Sequence, residues 1–270
     1  MPKKSRATGS QPRFSETVPA TDPLLVETVS KSGRGGFRSA EIAKVVARGQ
    51  PLPADVRPIL WLMGGGSGSG KSTVLSELKA QGFVPDSGAV EIDPDDFKEV
   101  IPEFQELIRR GDSRAAAVVH EESTLMARTA LAQAMKQRAN IILDTTLSAF
   151  PAAAKLIRYA RLHGYEVRII GVTAALAKAL ARSRERAERS GRFVLEAALC
   201  WTHQHFAAAF EKYVPLADAI ELWKTDMPGG APAKKIARKQ GASLYILDER
   251  AYRDFQEAAA PNEDANDQKT

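Results

Sequence analysis

The stretch Ile59-Leu60-Trp61-Leu62-Met63-Gly64-Gly65-Gly66-Ser67-Gly68-Ser69-Gly70-Lys71-Ser72 decides the fold. Its five leading apolar residues, bounded by glycines, read as a buried strand. Gly65 to Ser72 fits G-x-x-x-x-G-K-[ST] at every constrained position. Lys71 to about Ala80 reads as a helix. Strand, glycine-rich loop and helix in that order form the frame a P-loop needs. Gly65, Gly66, Gly68 and Gly70 let successive backbone N–H groups turn inward toward phosphate oxygens. The helix N-terminus adds the positive end of its dipole. Lys71 is expected to bridge the β- and γ-phosphates and Ser72 to hold Mg²⁺, with Ser67, Ser69 and Thr73 completing the cradle. ATP and Mg²⁺ are therefore the expected ligands. The plain alternative is a Gly/Ser turn that only caps a helix; Lys71 and the strand–helix frame weigh against it.

Outward from this loop, strands and helices alternate. Ala89–Ile92 reads as a second strand, and Asp93-Pro94 opens a helix with Asp as N-cap and Pro in the first position. A long helix is expected from Ser113 to about Arg138, a strand over Asn140–Leu143 and a helix over Pro151–His163. Tyr165–Val172 follows as a strand, then an Arg-rich helix, Ala174–Arg189, that breaks at Ser190-Gly191. Another helix runs from about Leu195 to Tyr213, and Ile220–Trp223 and Leu244–Leu247 are late strands. This pattern predicts an α/β fold: a P-loop kinase-like parallel sheet with helices on both faces and an Arg-bearing lid. Residues 1–36, rich in Pro, Ser, Thr and Gly, read as a disordered basic arm. Ser39–Arg48 reads as a short helix capped by Ser39. The kinase-like domain is expected over residues 37–257, and residues 258–270 as a disordered tail.

Composition narrows the function classes. The chain has 270 residues, 44% hydrophobic and 26% charged, which is ordinary for one globular core. The net charge of +5 is concentrated in the N-terminal arm. Those charges are dispersed and lack interleaved aromatics, so a solubilising tail is favoured over a nucleic-acid arm. Cys200 is the single cysteine, which suits a reducing compartment and leaves no disulfide framework. No apolar run reaches membrane-spanning length, and no secretory leader follows the basic start. The cytoplasm is the expected location. The four histidines show no metal spacing and read as structural or surface groups, His120 being the hardest to place.

Two further sets carry chemistry. Ile92-Asp93-Pro94-Asp95-Asp96-Phe97 places three carboxylates at the carboxyl end of a strand, where ligands sit in open α/β sheets. A kinase acting on a hydroxyl needs one carboxylate to orient the alcohol and take its proton. Capping of the next helix competes as an explanation for each of the three. Ile141-Ile142-Leu143-Asp144 is an apolar strand ending in an acid, the pattern of a group that orders Mg²⁺ beside a P-loop. Thr145, Thr146 and Ser148 then offer hydroxyls to a substrate. Arg182, Arg184, Arg186, Arg189 and Arg192 lie in or just after one helix. Most read as a salt-bridged surface with Glu185 and Glu188, while one or two are expected to fold over ATP.

From Leu60 to Phe210 the chain resembles the zeta toxins, P-loop kinases that phosphorylate UDP-N-acetylglucosamine. Ile92-Asp93-Pro94-Asp95-Asp96-Phe97-Lys98 looks like the family's I-D-x-D-x-F-K segment. Pro102-Glu103-Phe104-Gln105-Glu106-Leu107 resembles the P-x-F-x-E-L that follows it. Ser123 precedes Asp144 at the family spacing to an acid-x-Thr motif. Gly164-Tyr165-Glu166 leads a strand, and Arg186 and Arg192 fall where two catalytic arginines are expected.

The resemblance implies that Asp95 is the base for the sugar 3′-hydroxyl and that Lys71, Arg186 and Arg192 stabilise charge on the transferring phosphate. It implies that Asp144 and Thr146 bind the acceptor or Mg²⁺. It also implies toxicity through cell-wall precursor synthesis and a small helical antitoxin as partner. The chain departs from the pattern where Asp144 replaces a longer Glu, Thr145 replaces Gly, and Arg128 stands at an acidic position, so acceptor contacts are expected to differ. The leading reading is a UDP-N-acetylglucosamine kinase. Other readings are a kinase of another nucleotide, NAD or an antibiotic hydroxyl, a nucleic-acid 5′-hydroxyl kinase, and an ATP-gated binding module without catalysis.

Overall fold

The structure is a computed structural model and describes residues 34–112, 114–190 and 193–259. At its centre is β1 (Ile59–Gly64). Alternation along β1 sends Leu60 and Leu62 to one face of the sheet and Trp61 and Met63 to the other, and all four are buried. That is why the strand reads as a continuous apolar run. Beside β1 lie β3 (Asn140–Asp144) and β4 (Glu166–Thr173), both parallel to it. β2 (Ala89–Ile92) extends the parallel sheet beyond β3, and β5 (Ala219–Lys224) extends it beyond β4. The order is β2-β3-β1-β4-β5-β6-β7.

The sheet is mixed, not wholly parallel. β6 (Lys234–Gln240) and β7 (Ser243–Ile246) form an antiparallel edge on β5. The first of these was missed in sequence because Lys234-Lys235-Ile236-Ala237-Arg238-Lys239-Gln240 is mostly charged. Only Ile236 and Ala237 are buried, beside a bulge at Leu222/Trp223.

Helices cover both faces. α1 (Arg34–Val46) starts earlier than the expected Ser39 and includes Gly35 and Gly36. It is held on one side by the buried carboxylate of Glu122, which accepts from Arg34 Nε at 2.9 Å and Arg38 Nε at 2.8 Å. Residues 1–33 of the expected arm and 260–270 of the expected tail lie outside the described residues. α2 (Lys71–Ala80), α3 (Pro94–Val100) and α4 (Pro102–Arg109) follow, the last an amphipathic helix burying Phe104 and Leu107.

The long helix expected from Ser113 is two pieces, α5 (Ala115–Val118) and α6 (His120–Lys136), with the helical geometry lost at Val119; Ser113 itself lies outside the described residues. α7 (Phe150–Leu162), α8 (Leu176–Ser190) and α9 (Glu196–Phe210) complete the wrapping. α10 (Glu249–Glu257), unforeseen in sequence, is capped by Asp248 accepting from Ala251 N at 2.9 Å. It packs Phe255 against Phe206 and Phe210 of α9, ring centroids 5.8 and 5.4 Å away. Among the described residues, no helix is long and apolar enough to cross a membrane.

Candidate active site

β1 has its partners β3 and β4 on opposite sides, so a crevice opens at their carboxyl ends. A cavity of about 1080 Å³ occupies it. Its floor is the glycine loop. Ser67, Gly68, Gly70, Lys71, Ser72 and Thr73 line the cavity. Gly70 caps α2 without a side chain, so no side-chain cap competes for the first-turn N–H groups that face the cavity. The remaining loop residues, Gly65, Gly66 and Ser69, stand behind this lining and shape it.

The loop is clamped from behind. A Cβ at Gly66 would fall inside the imidazole of His203, whose Nε2 bonds the Ser67 carbonyl at 2.9 Å. Gly68 has φ +76°, and a Cβ there would meet the Ala179 carbonyl. Thr225, just past β5, donates from Oγ1 to the Ser69 carbonyl at 2.6 Å and accepts from Arg182 Nη1 at 2.8 Å. Arg186 Nη2 donates to Ser67 Oγ at 2.6 Å. Two arginines of α8 thus reach the loop, whereas Arg184 and Arg189 are exposed and pair with Glu196 and Glu185. Arg192 lies outside the described residues.

The opposite wall carries the acids. Asp93 lines the cavity and is also the N-cap of α3, its Oδ1 accepting from Asp95 N at 2.8 Å. Asp96 is exposed. Asp95 lines the cavity and pairs with Lys98 at 2.8 Å. Asp144, at the end of β3, lies 3.5 Å from Lys71 Nζ, which also donates to the Gly65 carbonyl at 2.9 Å. Burial pushes the Asp144 carboxyl up to about 6, with Lys71 pulling it back down. Thr146 and Ser148 line the same wall.

His120, at the start of α6, lines the cavity beside Asp95 and Lys98. Burial first, then the Lys98 charge, pushes its imidazole down to about 4, so it is neutral at ordinary pH. The Ser123 hydroxyl donates to the His120 carbonyl at 3.0 Å and is buried. Sequence reasoning brought Lys71, Ser72, Asp95, Asp144, Thr146 and Arg186 to one cavity. It missed His120, His203 and Thr225. Thr225 shares one signal with Asp144, a polar residue at the carboxyl end of a core strand.

Six cationic side chains, Lys71, Lys98, Arg114, Arg182, Arg186 and Arg189, face this cavity against four acidic ones. That balance suits a polyanion. Among the described residues, no three carboxylate, His or Cys groups gather as a metal cage. Ser72 with Asp144 supplies one hydroxyl and one carboxylate, a donor set that fits Mg²⁺ carried largely by phosphates.

A mixed sheet, a glycine loop and a cation-rich crevice suit an α/β protein to a phosphate-bearing ligand. The family model described as zeta toxin matches residues 43–245. The chain belongs to the zeta toxin family. A curated plant relative, the calmodulin calcium-dependent NAD kinase of Arabidopsis thaliana, is 31% identical over 71% of this chain and 44% of its own length. The chain therefore spans under half of that protein. Among solved structures, the AvrRxo1-ORF1:-ORF2 complex with ATP superimposes with TM-score 0.65 at 15% identity, covering 84% of this chain and 74% of that one. The PezAT chromosomal toxin–antitoxin system of Streptococcus pneumoniae gives TM-score 0.63 at 16% identity, over 87% of this chain and 96% of that one. Both likenesses are of fold.

Proposed function

We propose that this chain is an ATP-dependent kinase that phosphorylates a sugar hydroxyl of a nucleotide, with NAD as the first candidate acceptor. The observation that carries the kinase reading is the meeting of Lys71, Asp95 and Asp144 in one crevice. Loop amides and Lys71 hold the donor phosphates. Ser72 and Asp144 would hold Mg²⁺, which neutralises phosphate charge when bound. Asp95 takes the proton of the attacking hydroxyl as the new O–P bond forms and the β–γ bridging bond breaks, releasing ADP. Arg186, with Arg192, offsets the charge on the transferring group. Thr146 binds the acceptor.

NAD stands first because the plant relative named as an NAD kinase shares 31% identity. The departures at Asp144 and Thr145 also set this acceptor wall apart from the family pattern. UDP-N-acetylglucosamine is the second reading, favoured by the family itself. That reading carries toxicity through cell-wall precursors. A small helical antitoxin is the proposed partner under either, since both structural neighbours named above are two-component assemblies. The need for ATP and the single cysteine favour the cytoplasm as the location of such an enzyme.

The test is ADP formation by purified protein with each acceptor, with mass spectrometry of the products and Asp95→Asn as control. A phosphorylated dinucleotide, lost in the variant, establishes the first reading. A phosphorylated sugar nucleotide establishes the second. ATP binding without transfer to either overturns both acceptors, and activity untouched by Asp95→Asn overturns the role of Asp95.

A further inference from the structure

Leu147 is a strained residue at the acceptor wall. Its φ is +50°, in the left-handed region that a branched aliphatic side chain rarely enters. Such strain persists only where the surroundings over-determine it. Here three groups do so. The hydroxyl of Tyr213 donates to the Leu147 carbonyl at 2.7 Å, and both residues are buried. The Leu147 side chain fills the space over Gly64, where a Cβ would clash with it. The preceding backbone is stitched to the donor loop: Thr145 N donates to the Met63 carbonyl at 3.0 Å and Gly65 N to the Thr146 carbonyl at 3.2 Å.

The consequence is seen on either side of the strained residue. Thr146 and Ser148 flank Leu147, both line the cavity, and their hydroxyls are 2.8 Å apart. In an extended strand, side chains two apart also share a face, but the chain would continue out of the crevice. The left-handed turn at Leu147 instead folds the segment back so that α7 begins at Phe150. Tyr213 itself does not line the cavity. Burial pushes its phenol well up, so it stays protonated and acts as a donor.

We propose that Tyr213 is a positioning residue for the acceptor: its hydroxyl holds the Leu147 carbonyl in the turn that presents the Thr146 and Ser148 hydroxyls to a substrate hydroxyl-bearing sugar. This rests on the kinase reading for its substrate, but the positioning has a readout of its own. The ligands recognised are polyhydroxyl sugars on a nucleotide, read by two paired hydroxyls.

The first measurement is amide hydrogen exchange in Tyr213→Phe, with ATP affinity as the check on folding. Exchange across residues 144–150 should quicken about tenfold, the loss of one buried hydrogen bond, while the donor loop and ATP affinity stay unchanged. Unchanged exchange overturns the proposal, whatever the acceptor proves to be. The second is kinetic, with whichever acceptor turns over. Acceptor KM should rise about tenfold in Tyr213→Phe and no further when Thr146→Ala is added, since the two act on one contact. Additive effects would mean that Tyr213 serves stability alone. Should Tyr213→Phe fail to fold, Ser148→Ala tests the same pair: acceptor KM rises with ATP affinity intact, and an unmoved KM overturns the proposal. Absence of turnover with either acceptor in the wild type sinks the functional reading and leaves the exchange result to stand by itself.

Discussion

The two sides of the crevice are built by different means. The proposed donor side is backbone: a loop of glycines and serines running into the open end of α2, wedged against His203, Ala179 and Thr225. The proposed acceptor side is side chains: Asp95 in the first turn of α3, Asp144 at the end of β3, and Thr146 and Ser148 in the loop after it. A backbone cradle suits a ligand that never changes, because every residue in it is fixed by conformation. A side-chain wall suits an acceptor that varies, since one substitution alters one contact. By the resemblance, this chain keeps the zeta toxin pattern along the first and departs from it at Asp144 and Thr145 along the second; Arg128, the third expected departure, is exposed on α6 and does not line the cavity.

That contrast can be broken most sharply at Asp95. Asp95→Asn should lower kcat by about 10²–10⁴-fold, the worth of a general base, with ATP affinity kept. Single-turnover rates and calorimetric titration with a non-hydrolysable ATP analogue separate the two, and a loss of ATP affinity would merge the sides. Next comes Gly66→Ala. The added methyl must displace the His203 ring, a strain of about 1–3 kcal/mol, so ATP affinity and Tm should both fall. His203→Ala in the same chain should restore part of the affinity; no recovery would locate the damage elsewhere.

A smaller effect is expected for Thr225→Val, which removes the hydroxyl's bonds to the Ser69 carbonyl and Arg182 Nη1 but leaves Arg182 Nη2 on the Thr225 carbonyl. ATP should bind more weakly by about 1 kcal/mol, roughly fivefold, with acceptor KM unmoved. A separate effect, on stability with pH, is expected at His120. Its folded value of about 4 lies below the ordinary 6.5, so between those limits the unfolded chain binds a proton that the folded ring refuses. Stability should therefore fall as pH drops through that window, and His120→Gln should flatten part of the slope. Thermal melts across the window with equal slopes in the two proteins would contradict it.

The donor side was legible because its geometry is local. Glycine spacing, Lys71 and the strand before them lie within one stretch of fourteen residues. Asp144 was legible for a similar reason, as the polar end of an apolar strand, and Asp93 was legible as an N-cap. What escaped depends on distance along the chain. His203, Thr225 and Tyr213 act on residues far upstream, and no spacing in the sequence signals that. The charged strand β6 escaped because an edge strand needs few buried residues. α10 escaped for a different reason: Ala251, Tyr252 and Phe255 make a clear amphipathic face, but the stretch is only nine residues long. The expected long helix failed at Val119, where nothing in Ala115-Ala116-Ala117-Val118-Val119 marks a stop by propensity.

α9 has a bearing on how this chain can change over generations. It sends His203 to the donor loop, and the turn that follows it sends Tyr213 to the acceptor loop, ten residues further on. Over that length a helix advances about 15 Å and each residue turns it by about 100°. A single inserted or deleted residue between the two would swing one of them away from its loop. Substitutions can drift freely along the outer face of α9, and the crevice can be re-lined for a new substrate, but the count between those two positions is expected to be the least negotiable length in the molecule.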